Sequence, residues 1–142
     1  MVAYSFAPQF IEPVASMRKL QTVRGLRKRH ARVGERVQLY TAMRTKYCRK
    51  ILEPDPACIA VDDIWMNVQG FSDERIEAIS INSIPLDDDE IEAFAVADGF
   101  GGGLADGFAR RRMGEFWWKA HGQAETIGFE FEGVVIRWSG NA

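Results

Sequence analysis

A mixed α+β fold with a largely antiparallel sheet is what this sequence predicts, from three patterns. Short stretches rich in branched residues alternate between apolar and polar, which is the period of a half-buried strand. Other stretches repeat apolar residues every three or four positions, the period of a helix packed by one face. The order is helix, strands, helices, strand, rather than the regular strand–helix alternation of a parallel sheet.

The first predicted element is a short helix in "APQFIEPVASMRK", where Phe10, Val14 and Met17 make one face and Pro13 limits or bends it. In "ERVQLYTAM", Val37, Leu39 and Thr41 fall on one side and Gln38 and Tyr40 on the other, which reads as a strand. "EPDP", Glu53 to Pro56, is a turn. "CIAVDDIWMNVQG" and "IEAISINSI" are two further strands. "IPLDDDEIEAFAVADGF" starts a helix behind acidic residues, which suit its positive end. A second helix spans "LADGFARRRMGEFWWKAHG" and stops at Gly122, with Ala109, Met113, Phe116, Trp117 and Ala120 on its core face. "TIGFEFEGVVIRW" is a last long strand, or a hairpin around Gly133. Closing the sheet into a small barrel is one way to remove its edges.

The chain has 142 residues, 46% of them hydrophobic and 27% charged, which suits one globular domain spanning 1–142. No apolar run reaches membrane-span length, and "MVAYSFAPQF" lacks the basic-then-apolar order of a signal peptide, so a cytoplasmic protein with no membrane partner is expected. Cys48 and Cys58 match no zinc or CxxC spacing, and His30 and His121 are far apart, so free thiols and no metal are expected. No cofactor is expected either. "GFGGGLADG" lacks the lysine and the order of a phosphate loop, and the acids from Asp87 to Glu90 lack calcium-loop spacing.

Charge is unevenly distributed. Residues 1–50 carry 12 Lys and Arg against 2 acids, and residues 51–142 carry 6 against 18. Either the basic half steers an anionic ligand, or the two halves neutralise each other across the fold.

Within the basic half lies Lys-x-x-Thr-x-Arg: Lys19, Thr22 and Arg24. Gly34 and Glu35 follow, ahead of the strand "RVQLY". Further on come Asp98, Gly99 and Phe100, then the aromatic run "FWWKAHG". This combination resembles the ASCH-domain family of the PUA-like superfamily over most of the chain. In the family pattern a glycine stands two residues before the lysine; Met17 stands there in this chain. The family's acid, a glutamate in some members, is Asp98.

The resemblance implies a small PUA-like β-barrel with flanking helices and a cleft lined by a Lys–Thr turn. Its implied partner is RNA or a nucleoside-type small molecule. Some small ASCH proteins are amidohydrolases that remove the acetyl group of N4-acetylcytidine with a Lys, a Thr and a Glu. Carried over, this makes Lys19, Thr22 and Asp98 the catalytic candidates: threonine as nucleophile, lysine as its base, the acid orienting the lysine or holding the cytosine amino side. Such a lysine must lose its proton below the ordinary value of about 10.4, which burial or a positive neighbour favours. The alternative is a non-catalytic RNA-binding or protein-interaction module, in which Thr22 serves the backbone, Lys19 is solvated and Asp98 braces a helix.

Arg24, Arg27, Lys28, Arg29 and Arg32 are candidate phosphate contacts, with Arg44 as another and Tyr40 as a base-stacking ring. A solvated basic face is the plain alternative. Trp118, near Arg111 on the polar side of its helix, is a candidate stacking platform, the alternative being packing against a loop.

Overall fold

The computed structural model describes residues 2–102, 105–122 and 127–140. Leu104 and Thr126, at the starts of the predicted second helix and last strand, lie outside the described residues. The architecture is α+β: eight strands in two sheets, mostly antiparallel, and three helices among the described residues.

The strands are β1 (Val2–Phe6), β2 (Gln21–Gly25), β3 (Val37–Thr41), β4 (Arg49–Lys50), β5 (Cys58–Gln69), β6 (Ile76–Ile81), β7 (Ile84–Pro85) and β8 (Gly128–Trp138). The helices are α1 (Ile11–Ala15), α2 (Asp88–Ala95) and α3 (Ala109–His121). The smaller sheet runs β1-β3-β4, with β1 and β3 parallel; the larger runs β2-β8-β5-β6-β7 and is antiparallel throughout. No strand is shared between the sheets, so the ladders close no barrel among the described residues.

Three predicted strands appear as β3, β5 and β6, the last turning through Asn82 and Ser83 into β7. Both turn residues have positive φ, 49° and 67°, the handedness of tight hairpin turns. β8 is one continuous strand through Gly133, because β2 and β5 pair along its two edges. Val134, Val135 and Ile136 are buried in succession there.

Two strands depart from expectation. β1 was not anticipated; Val2, Tyr4 and Phe6 are buried and its edge is satisfied by β3. Thr22 and Arg24, expected in a turn, are extended on β2, because that segment pairs with β8.

α2 begins at a capping box: Asp87 accepts from the Glu90 amide, and the Glu90 side chain accepts from the Asp87 amide. Its last turn widens at Val96–Phe100, broken by Gly99 at φ 100°. α3 starts at Ala109, later than predicted. It buries Ala109, Met113 and Trp117, but Ala120 is exposed near its C-terminal end. The core gathers side chains from both sheets and from α2 and α3. Cys48 (exposed) and Cys58 (buried) are free thiols. No helix among the described residues is long and apolar enough to cross a membrane.

Candidate active-site cleft

The chain reaches the cleft through a turn after α1. Met17 adopts a left-handed φ of 65°. The amides of Arg18 and Lys19 both donate to the Pro13 carbonyl, at 3.0 and 2.9 Å. This turn sends Arg18 outward to an ion pair with Glu12 and Lys19 inward, where it is 2% exposed. β2 follows directly, and its two-residue period puts Thr22 and Arg24 on one face.

Asp98 arrives from the widened turn after α2 and is also buried. Its Oδ1 lies 3.5 Å from Lys19 Nζ, which also donates to the Asp98 backbone carbonyl. Gln21 Nε2 donates to the same Oδ1 at 3.2 Å. Lys19 Nζ is 4.7 Å from the centroid of Phe10 and 5.7 Å from that of Phe6, so ring faces supply part of what water would give the cation.

Arg24 completes the polar floor. Its Nε donates to Thr22 Oγ1 at 3.0 Å and a terminal nitrogen donates to the Ser5 carbonyl at 2.7 Å. With its oxygen accepting from Arg24, the Thr22 hydroxyl proton is left to point toward another acceptor.

Lys19, Thr22, Arg24 and Asp98 all line one cleft of about 340 Å³, walled by Phe6, Phe10, Phe100, Phe116, Trp117 and Phe131, with His121 beside them. A wider hollow of about 1380 Å³ lies along α3 and shares Phe100 and Phe116 with the cleft, but Lys19, Thr22 and Asp98 do not line it. The wider hollow is lined by charged side chains such as Glu12, Arg111 and Lys119, which are exposed, whereas the buried Lys19 and Asp98 belong to the smaller cleft.

Burial pushes the Lys19 ammonium below the ordinary lysine range, with the Asp98 carboxylate opposing the shift and Arg24 adding to it. Burial pushes the Asp98 carboxyl up, opposed by Lys19, Gln21 and Arg24. Both shifts favour neutral forms, as expected for two charges removed from water together. Burial also acts on Arg24, which stays a cation because guanidinium does not deprotonate in proteins.

The other predicted residues lie elsewhere. Arg27 stacks over Tyr4 at 4.7 Å, and Arg29 is ion-paired with Glu35. The side chains of Lys28, Arg32 and Arg44 are exposed and have no hydrogen bond or ion pair among the described residues. Tyr40 sits under Lys50, at 5.7 Å. Trp118 stacks on Phe129 at 6.1 Å and faces Arg75 at 5.4 Å rather than Arg111. None of these lines the cleft. Gln21, Phe6 and Phe131 were not singled out from sequence, and Phe10, Phe116, Trp117 and His121 were not read as cleft residues, because nothing in their spacing marks them as neighbours of Lys19. Among the described residues, no group of three or more His, Cys, Asp or Glu could hold a metal ion. Comparison with protein-family models, curated proteins and solved structures finds no match to this chain.

Proposed function

We propose that the chain is an ASCH-type domain of PUA-like descent whose cleft binds a pyrimidine nucleoside and hydrolyses the amide of an N4-acylated cytidine. One observation carries the reading. A lysine that is 2% exposed, held 3.5 Å from an aspartate, lines the same aromatic cleft as a threonine hydroxyl. Flat ring walls suit a heteroaromatic base. Burial supplies what a lysine base needs, a proton affinity below its ordinary value.

In this scheme Thr22 Oγ attacks the acyl carbon and its proton passes to Lys19 Nζ. Arg24, already hydrogen-bonded to Oγ1, stabilises the alkoxide character that develops there. The C–N4 bond then breaks, Lys19 returns the proton to N4, and cytidine leaves. Water cleaves the threonyl ester, releasing the carboxylic acid and restoring the hydroxyl. Asp98 orients Lys19 throughout. Lys28 and Arg32, unpaired among the described residues, supply with Arg27 the phosphate contacts if the nucleoside lies within RNA.

A second reading, binding without catalysis, is favoured by the Lys19–Asp98 contact itself, because a neighbouring carboxylate holds a proton on the lysine. Incubation with a panel of N4-acyl cytidines, with cytidine release and cytidine affinity both measured, separates the two. Hydrolysis predicts turnover in the parent, loss of about 10²–10⁴-fold in Lys19→Ala, and no rescue in Lys19→Arg, whose guanidinium cannot accept a proton. Full activity in Lys19→Arg rules lysine out as the base. No turnover in the parent, with affinity kept in Lys19→Arg, leaves a binding module.

A further inference from the structure

Gln21 has no part in the chemistry above, yet it is 4% exposed and bonded through both ends of its amide. Nε2 donates to Asp98 Oδ1 at 3.2 Å, and Oε1 accepts from Arg137 Nε at 3.4 Å. Gln21 and Arg137 are direct partners across the β2–β8 ladder, so backbone pairing sets the side chains against each other. Arg137 is held in turn: a terminal nitrogen donates to Asp62 Oδ2 at 2.5 Å, and Asp62 Oδ1 accepts from Asn82 Nδ2 at 3.0 Å. The chain runs without a break from an exposed turn, through β5 and β8, to the buried pair.

The donors and acceptors along this chain have a fixed direction. Arginine only donates, so the Gln21 oxygen must face Arg137. The amide nitrogen is thereby turned toward Asp98, and a nitrogen there requires an acceptor opposite it. With the amide reversed, oxygen would oppose oxygen at Asp98 and nitrogen would oppose nitrogen at Arg137. We infer that Gln21 is a positioning residue for the Lys19–Asp98 pair, oriented from the far side by Arg137 and Asp62 so that the Asp98 carboxylate stays an acceptor aimed at Lys19. The catalytic consequence rests on the proposed role of Lys19; the hydrogen-bond chain stands apart from it.

The charged groups facing Asp98 are Lys19, ahead of β2, and Arg24, on β2; among the described residues no second carboxylate acts on it. Gln21 is the neutral donor of the set. Removing it takes away stabilisation of the anion, so Asp98 holds its proton to higher pH. Lys19 then loses countercharge and gives up its own proton at lower pH.

The experiment uses Gln21→Met, which keeps the shape and removes both polar ends, and Arg137→Met, which leaves Gln21 in place but frees its orientation. Asp98 is followed through a pH titration by carboxyl ¹³C resonance in the folded protein, alongside the pH profile of kcat/KM on N4-acetylcytidine. In Gln21→Met the Asp98 titration moves up by roughly one to two pH units, the equivalent of one hydrogen bond to a charged group. Arg137→Met moves it the same way by less. The rising limb of the rate profile moves to lower pH, and kcat falls more than KM changes. An Asp98 titration unmoved in the folded variants overturns the inference. If Gln21→Met does not fold, Arg137→Met decides it by the same titration. A shifted titration without turnover in the parent upholds the positioning role and removes the hydrolase reading, so the two fail separately.

Discussion

Gly99 lies directly beneath the side chain of Lys19: a Cβ built on Gly99 would stand 2.8 Å from Lys19 Cδ and 3.1 Å from Phe10 Cδ1. The residue also has φ 100°, a conformation that side-chain-bearing residues rarely adopt. The absence of a side chain therefore does two things at once. It lets the turn after α2 aim Asp98 inward, and it leaves room for the lysine stem to cross. Gly99→Ala is expected to lose roughly 1–3 kcal/mol of stability through backbone strain. It should also displace Lys19, so ligand affinity or turnover falls further than stability accounts for. Urea denaturation beside the cytidine assays checks both; a variant that is destabilised but fully active separates the strain from the site.

Met17 gives the opposite expectation. It holds φ 65°, in the left-handed region that glycine enters freely. The left-handed conformation costs a non-glycine residue about 1–2 kcal/mol, partly offset by the extra entropy that glycine loses on folding. Met17→Gly should therefore raise stability by about 0.5–1 kcal/mol without moving Lys19, because the amides of Arg18 and Lys19 already bond to Pro13 in that geometry. A lower urea midpoint for Met17→Gly would show that the half-exposed methionine side chain contributes more by packing than its backbone costs.

The buried pair makes stability depend on pH with two opposite signs. Lys19 has a folded pKa below 10.5, so its contribution is present above the unfolded value and is lost as pH falls through the folded one. Asp98 has a folded pKa above 3.8, so its contribution is present below the unfolded value and is lost as pH rises through the folded one. At neutral pH the pair is held at a cost. Lys19→Met alone leaves a buried carboxylate unpaired and should lose about 3–5 kcal/mol. Lys19→Met with Asp98→Leu should return to the parent value or exceed it by about 1–4 kcal/mol, while abolishing activity. Chemical denaturation of both variants at neutral pH tests this, and additive losses would show that the two side chains are not coupled.

For the basic loop after β2, the ion pairs divide residues that look alike in sequence. Lys28 and Arg32 are uncommitted among the described residues, whereas Arg29 is paired with Glu35. If RNA lies across this loop, replacing Lys28 and Arg32 together by alanine should flatten the logarithmic salt dependence of binding to a single strand by about 1.4, or 0.7 for each phosphate no longer neutralised. Arg29→Ala should change it less. Equal slopes in the parent and the double variant would leave the loop as a solvated face.

Local pattern was enough for the elements whose stability is local. The branched runs of β5 and β6, the acidic start of α2, and the face of Ala109, Met113 and Trp117 on α3 are each readable within a dozen residues, whereas for β8 the strand was readable but not its passage unbroken through Gly133. The Lys-x-x-Thr-x-Arg pattern likewise marked Lys19, Thr22 and Arg24 as neighbours. Strand pairing over distance was not readable. β1 is a strand because β3, some 35 residues on, pairs with it, and the segment holding Thr22 and Arg24 is extended because β8 lies beside it. Whether the ladders closed a barrel or left two sheets depended on those same long-range pairings. The approach of Asp98 to Lys19 spans 79 residues, and the bond from Arg137 to Gln21 spans 116, so no sequence window contains either. Nor could composition give the direction in which Lys19 and Asp98 titrate. Each carries an ordinary charge in the unfolded chain, and only the aromatic walls brought around them by folding take away the water that would hold that charge.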